Sequence, residues 1–543
     1  VRASETVGRT LRRVKGTRPL PRDLDAALTR ALAHHRAGRL DEAARGYDAV
    51  LSRAPRTAPA LAMKGMLLLQ RGRCPEAIPL LERALAIEPS DGGGWSNLGN
   101  ALRQVGRIDD AIAACRRAVS LEPRRAEAHN NLGNALRDHG ALEEAEAAFE
   151  RALSLAPTLF AAASNLAHLL ARRGAPPPEL IERVDRAMGL GAHARPRDLA
   201  DLHNLRGNAL RRAGRASDAI ESYRAAIAIE PTFGEAQLNL GRTLAHELAL
   251  ADAVEPLSRG LALRPSEHAV YPQLALVLRR LGREDEAATV YRAWHEAVPD
   301  DPVAAHLAAS SARISDQAAP SRASAAYVRR EFDGFARSFD EVLLERLGYR
   351  GPELVGEALA RAGITPGTPL DVLDAGCGTG LGAAQLRPLA RRLVGVDLSR
   401  EMLRQAASRG YDELVEADLI EYAASAEGTF DVVTATEVLL YFGDLEAPLG
   451  ALASTLREGG RLVLTVEAAP DEVERWMLGP SGRYAHAHDY LRATLEGTRL
   501  EGTGLEGTGL AIDAFESVVL RRELGADVRG WLATARRPAR SVA

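Results

Sequence analysis

The chain has 543 residues, 46% of them hydrophobic and 26% charged, with a formal net charge of −4. That length exceeds a single domain, and a near-balanced, slightly acidic charge excludes a nucleic-acid footprint over the whole molecule. No apolar run approaches the roughly 18 residues that a membrane-crossing helix requires, and the widely separated Cys74, Cys115 and Cys377 fit a reducing, cytoplasmic setting rather than a disulfide or metal framework.

Residues 1–21 are basic but carry no apolar stretch of the kind a signal peptide needs, and are expected to form a disordered tail. Lys15 and Lys64 are the two lysines of the chain, so its positive charge is almost all arginine, which reflects composition bias rather than a functional surface. From residue 22 a fixed period appears. Pro55, Pro89, Pro123 and Pro157 stand 34 residues apart, and Pro231, Pro265 and Pro299 resume the step. Gly38, Gly72, Gly106, Gly140 and Gly174 keep the same period, as do Ala43, Ala77, Ala111 and Ala145. Small residues let two helices approach closely, and proline ends the second helix of each pair. A 34-residue period of this kind is the tetratricopeptide signature. Each hairpin leaves an apolar face that its neighbours cover, so the units stack as a solenoid. About eight units are expected over 22–299, with a capping helix near 301–313; the unit at 158–197 is irregular, and Leu248 replaces a turn glycine.

Within the first helices, Asn97, Asn131, Asn165 and Asn239 share one repeat position, and Asn100, Asn134 and Asn208 lie three places on. The runs Trp95–Leu102 and His129–Leu136 resemble the repeats of O-linked N-acetylglucosamine transferase, in which an asparagine ladder on the concave side holds an extended peptide. An amide both donates and accepts, so it can grip a peptide backbone without reading side chains. The resemblance implies a protein or extended-peptide partner for the concave groove; hydrated asparagines copied by duplication are the alternative.

Residues 314–325 read as a linker. Beyond it, Val372-Leu373-Asp374-Ala375-Gly376-Cys377-Gly378-Thr379-Gly380 is a strand running into a glycine turn, with a helix expected at about 381–391. Val394-Gly395-Val396-Asp397 is a second strand ending in an acid, where ribose hydroxyls sit in a doubly wound fold. The dinucleotide fingerprint requires glycine where Leu381 stands. Asp374, two residues before the first glycine, would repel a pyrophosphate, and the turn holds no Lys or Arg to offset it. The pattern therefore suits a cationic, phosphate-free ligand rather than a nicotinamide dinucleotide. Further strands are expected at Phe430–Ala435 and Arg461–Val466, then a helix near 488–496 and antiparallel strands near 512–521 and 529–536. Three near-identical pentapeptides over 495–509 read as a floppy loop without chemistry.

From about 326 to 543 the chain resembles the class I S-adenosylmethionine-dependent methyltransferases. The resemblance implies an α/β Rossmann-like domain with a seven-stranded, mostly parallel sheet and S-adenosylmethionine as cofactor. It assigns Asp374, Gly376, Gly378 and Gly380 to the donor's amino-acid part, Asp397 to the ribose, and Met402, Asp418 and Leu419 to the adenine, with Glu437 at the sheet's mouth. It also implies a lid from Phe332, Ala336 and Phe339. The joined arrangement resembles a bacterial group of predicted methyltransferases carrying tetratricopeptide repeats, which share the Gly482-Arg483-Tyr484-Ala485-His486 motif. Tyr441, Tyr484 and His486 become candidates for positioning the methyl acceptor, His486 as a base; an ordinary loop hydrogen bond is the alternative for each. A non-catalytic repeat adaptor with a vestigial domain is the competing reading, against which the complete donor motif set counts.

Overall fold

The computed structural model describes residues 20–311, 320–367, 369–497, 508–523 and 525–539. Most of the basic tail, part of the expected linker and the tandem pentapeptides of 498–507 lie outside the described residues. The rest forms two compact units that divide between Glu247 and Leu248.

The described residues of the first unit are helical with short turns between the helices. Its described residues hold six helical hairpins, from Arg22–Arg36 with Leu40–Arg53 to Pro196–Arg212 with Ala216–Ile229, followed by the helix Gly234–His246. The period is explained by its contacts. Ala43, Ala77, Ala111, Ala145 and Ala219 are completely buried, and so are the residues one turn later: Tyr47, Leu81, Cys115, Phe149 and Tyr223. Leu81, Cys115, Phe149 and Tyr223 each lie over a glycine of the partner helix. A Cβ on Gly133 would sit 2.6 Å from Phe149 Cε1, and one on Gly207 2.5 Å from Tyr223 Cε1. The turn glycines hold left-handed backbone, with φ of 72° at Gly38 and Gly72 and 81° at Gly106. In the irregular unit, Pro177 and Pro178 open the helix Pro177–Gly189, and the inserted residues feed a 17-residue helix, Pro196–Arg212.

Three ladder asparagines bond across repeats. Asn131 Nδ2 donates to Ser96 Oγ at 2.9 Å, Asn165 Nδ2 to Asn130 Oδ1 at 3.0 Å, and Asn239 Nδ2 to Asn204 Oδ1 at 2.9 Å. Asn208 Oδ1 accepts from Tyr223 Oη at 2.8 Å. The side chains of Asn97, Asn100 and Asn134 make no hydrogen bond to the described residues.

The second unit opens on Leu248, which keeps the turn with φ 62° although it lacks glycine's freedom. Helices Leu250–Leu263, Val270–Arg280, Glu284–Ala297 and Pro302–Ser310 follow. Asp301 caps the last of these by accepting from Val303 N at 2.9 Å, and pairs with Arg330 at 3.0 Å. His306 bonds through Nε2 to the Gly482 carbonyl at 2.8 Å, and its ring stacks on Tyr327 at 4.0 Å.

The remainder is an α/β domain built on a sheet of nine strands among the described residues: β1 Leu370–Ala375, β2 Ala390–Asp397, β3 Glu413–Glu416, β4 Phe430–Ala435, β5 Leu456–Ala468, β6 Trp476–Leu478, β7 Tyr484–His486, β8 Ala511–Glu523 and β9 Ala526–Arg536. β3, β2, β1, β4 and β5 run parallel in that order; β9 pairs antiparallel with β5, and β8 with β9. These seven are the expected sheet, and the short β6–β7 hairpin joins through the end of β5. Successive side chains enter different cores. Leu373, Val433, Leu462 and Leu464 pack on one side, while Val372, Val432 and Val463 pack with Leu354, Leu359 and Leu386 on the other. A sheet covered on both faces reads as continuous apolar runs, as these strands do. The helix expected over 381–391 is short: Ala383–Leu386 gives way to a 3₁₀ turn containing Pro388, and β2 begins at Ala390. Proline's missing N–H and fixed ring stop that helix.

Candidate active site

The carboxyl ends of β1, β2 and β4 open into a cavity of about 1150 Å³, counting its open mouth. Its floor is the glycine turn. Gly376 has φ 75°, and a Cβ there would lie 2.5 Å from Val438 Cβ, so the turn packs directly on the segment after β4. A Cβ at Gly378 would meet only Phe339, at 3.9 Å, so that position leaves an open cradle. Gly380 serves packing, since its Cβ would lie 2.9 Å from Tyr411.

Four carboxylates line the cavity: Asp374, Asp397, Asp418 and Glu437. Asp374 accepts from Tyr411 Oη at 2.6 Å and Thr434 Oγ1 at 3.0 Å; burial raises its pKa, and the two hydroxyls oppose that rise. Asp397 accepts from Gly378 N at 2.9 Å and Ser399 N at 2.8 Å, yet burial pushes its pKa up to about 6. For Asp418 burial works against the charge, but the Arg322 guanidinium at 2.5 Å and the Ile420 amide at 3.0 Å prevail and hold its pKa low. Glu437 is raised by burial, with Arg521 opposing. Its Oε2 accepts from Arg521, its N–H donates to Thr465 Oγ1 at 3.1 Å, and Oε1 is buried without a partner. Glu437 also holds φ 57°; for a non-glycine residue such backbone costs of the order of 1–3 kcal/mol and gathers at functional sites.

The opposite end of the sheet is organised differently. Asp371, at the start of β1, is paired with both Arg391 and Arg457 at 2.5 and 2.7 Å. Among the lining residues Arg322 is the cation, and it is already engaged by Asp418. The cavity therefore repels phosphate and favours a positive ligand.

Aromatic side chains cover it. Phe332 meets Phe339 edge-on at 6.0 Å and Tyr441 at 5.4 Å. Two aspartates from the same segment dock it: Asp333 accepts from Ser399 Oγ at 2.6 Å, and Asp340 from Thr379 Oγ1 at 2.5 Å. Ala336 is buried behind this cover.

Of the residues singled out in the sequence, Asp374, Gly376, Gly378, Asp397, Asp418, Leu419, Glu437 and Tyr441 line the cavity. Met402 is buried in the helix Arg400–Ala406 and, like Gly380, stands outside the lining. Tyr484 and His486 are not brought to the cavity either. Tyr484 Oη donates to the Pro320 carbonyl at 2.7 Å. His486 is buried, bonds through Nε2 to the Phe442 carbonyl at 2.8 Å, and has its pKa pushed down to about 4 by that burial. Cys377 lines the site with its thiol pushed up by burial, as a small filler would be. Arg322, Tyr349, Tyr411 and Thr434 were not apparent in the sequence; they reach the site from separate segments without a local motif. Among the described residues no cluster of His, Cys, Asp or Glu could hold a metal ion, and no helix is long and apolar enough to cross a membrane.

Comparison with known proteins agrees with this architecture. A family model described as a methyltransferase domain matches residues 347–507, and one for the tetratricopeptide repeat matches 2–59, 28–92, 96–159 and 204–268. The chain is 34% identical over 128 residues to nocamycin O-methyltransferase of Saccharothrix syringae, covering 22% of this chain and 45% of that protein. It is 34% identical over 99 residues to a ubiquinone biosynthesis O-methyltransferase of Xanthomonas oryzae, covering 17% and 41%. With human methyltransferase-like protein 27 it shares 38% identity over 141 residues, covering 25% and 55%. The chain thus spans about half the length of the curated relatives it matches. Among solved structures, YrrB, a tetratricopeptide protein with an unusual peptide-binding site, aligns at 22% identity and TM-score 0.30, covering 35% of this chain and 94% of that one. MamA aligns at 22% identity and TM-score 0.28, covering 31% and 91%.

Proposed function

We propose that the methyltransferase domain carried by this chain, behind its tetratricopeptide repeats, takes S-adenosylmethionine as methyl donor, and that the repeats recruit a protein or extended-peptide partner. The observation carrying the first part is the carboxylate-lined cavity, whose lining holds no unengaged cation among the described residues. When bound, this donor supplies a methyl group already activated on a sulfonium. The chain's own residues then bind, align and exclude water. Gly378 leaves its cradle open beside Asp397 and hands its amide to that carboxylate, fixing an acceptor for ribose hydroxyls. Leu419 and the segment after β3 supply an apolar wall, and Phe332, Phe339 and Tyr441 close the cavity toward solvent. Tyr441 is the remaining candidate for positioning an acceptor. Alignment and desolvation carry most of such a displacement, so a dedicated catalytic base is not demanded.

The repeat reading rests on asparagines whose amides are unspent. Asn97, Asn100 and Asn134 are free of bonds to the described residues, whereas Asn131, Asn165 and Asn239 each commit a donor to the neighbouring repeat. A partner backbone would engage the free set first.

Calorimetry of the purified chain against S-adenosylhomocysteine, NADH and FAD tests the donor assignment. Binding of the first alone is expected; tight binding of a nicotinamide or flavin instead would overturn it. Incubating a lysate with labelled donor, then sorting the label into protein and small molecules, tests the recruitment reading, which fails if no protein is labelled.

A further inference from the structure

The cavity's four carboxylates present eight oxygens, and among the described residues seven have protein partners. Asp374 gives one to Tyr411 and one to Thr434; Asp397 is held by two backbone amides; Asp418 is held by Arg322 and the Ile420 amide. The eighth, Glu437 Oε1, is buried and unpartnered. Buried polar atoms are almost always satisfied, so an orphan in a binding cavity points to a ligand that completes it.

Its place in the fold says which ligand group that is. The acids suited to an adenosine, Asp397 and Asp418, stand at the ends of β2 and β3. Glu437 stands on the other side, after β4, whose Thr434 is in register with Asp374 of β1. The next residue, Val438, packs on Gly376 of the glycine turn. Glu437 therefore lies at the end of the cavity where the turn meets β4. The carboxylate is also held still: Arg521 takes Oε2 and is itself fixed by Glu467 and Glu523, while the Thr465 hydroxyl accepts from the Glu437 N–H.

Resting on the donor assignment above, we infer that Glu437 Oε1 receives the α-ammonium of the donor's amino-acid portion. Asp374, the acid of the glycine turn, instead serves inside the protein, tying Tyr411 and Thr434 to the base of the turn. Selectivity for the amino group then resides in a residue after β4 and not in the turn.

The experiment is a thermodynamic cycle read by calorimetry. S-adenosylhomocysteine is compared with its deaminated analogue, identical but for the missing amino group, on the wild type and on Glu437→Gln. The wild type is expected to prefer the amine by about 10- to 100-fold, the range for a hydrogen bond to a charged group, and Glu437→Gln to bind both compounds within a few-fold of each other. Because the neutral amide of that variant weakens the pairing with Arg521, Glu437→Asp is run alongside: it keeps the charge and withdraws the oxygen by one methylene, and its preference for the amine should also fall. Undiminished preference in both variants overturns the inference, as does its loss in Asp374→Asn with retention in Glu437→Gln. A wild type that binds neither compound refutes the donor assignment itself, a different outcome from either of these.

Discussion

Replacing Asp397 by Asn separates charge from shape at the centre of the cavity. The wild-type carboxylate already accepts two backbone amides and titrates near 6 because burial disfavours its charge. A donor's ribose hydroxyls would bond to the ionised form, and each hydrogen bond to a charged group contributes about 1.5–3 kcal/mol. Asp397→Asn should therefore bind S-adenosylhomocysteine about 10- to 100-fold more weakly at neutral pH. The pH dependence follows from the same group. Protonation competes with the ligand, so wild-type affinity should rise with pH up to about 6 and level off above it. Asp397→Asn should lack that slope. Stability runs the other way in the free protein. The folded state holds this proton more tightly than an ordinary carboxyl does, so the group's contribution falls as pH climbs from about 4 to about 6, by about 3 kcal/mol. Titration calorimetry from pH 5 to 8 on both proteins reads the affinities. Equal affinity with the same pH slope in the two would refute the ribose assignment and its electrostatics together.

Leu248→Gly should stabilise the chain by about 0.5–1 kcal/mol, because left-handed backbone costs a leucine about 1–2 kcal/mol and glycine returns part of that in unfolded-state entropy. Leu248 is 66% exposed, so little packing is lost, and a scanning-calorimetry midpoint that falls would contradict this. Gly133→Ala should destabilise the repeats by about 1–3 kcal/mol, since its Cβ arrives 2.6 Å from the buried Phe149 ring; an unchanged unfolding midpoint would show that the ring can yield. Phe332→Ala removes two edge-on ring contacts worth about 0.5–1.5 kcal/mol each, so S-adenosylhomocysteine affinity should fall several-fold, and retained affinity would dismiss the segment as a cover.

Much of this architecture is written locally. A repeat that places alanine, then a bulky residue one turn later, then proline carries its own packing rule. That is why the six hairpins of the first unit's described residues and the terminal helix Pro302–Ser310 were legible. The glycine turn and the acid ending β2 were legible because they are contiguous with their strands. What escaped is contact between distant segments. Arg322 reaches Asp418 across 96 residues, Asp333 reaches Ser399 across 66, and Tyr411 reaches Asp374 across 37. No local pattern announces such pairs. His486 drew notice through its place in the Gly482–His486 motif; its burial on β7, in a hairpin of two three-residue strands, has no periodicity that sequence could show. Pro388, by contrast, was a readable stop signal for the helix after the glycine turn.

The terminal helix Pro302–Ser310 matters to anyone excising the α/β domain. Through His306 and Asp301 it holds the Gly482 carbonyl and Arg330, the former 176 residues downstream. A recombinant fragment begun after Ser310 would strip the imidazole off Tyr327 and bare an apolar wall behind the aromatic segment over the cavity. Poor expression or weak ligand binding from such a truncation would report the scar of the cut rather than the competence of the domain. A fragment begun at Leu248 keeps that wall clothed.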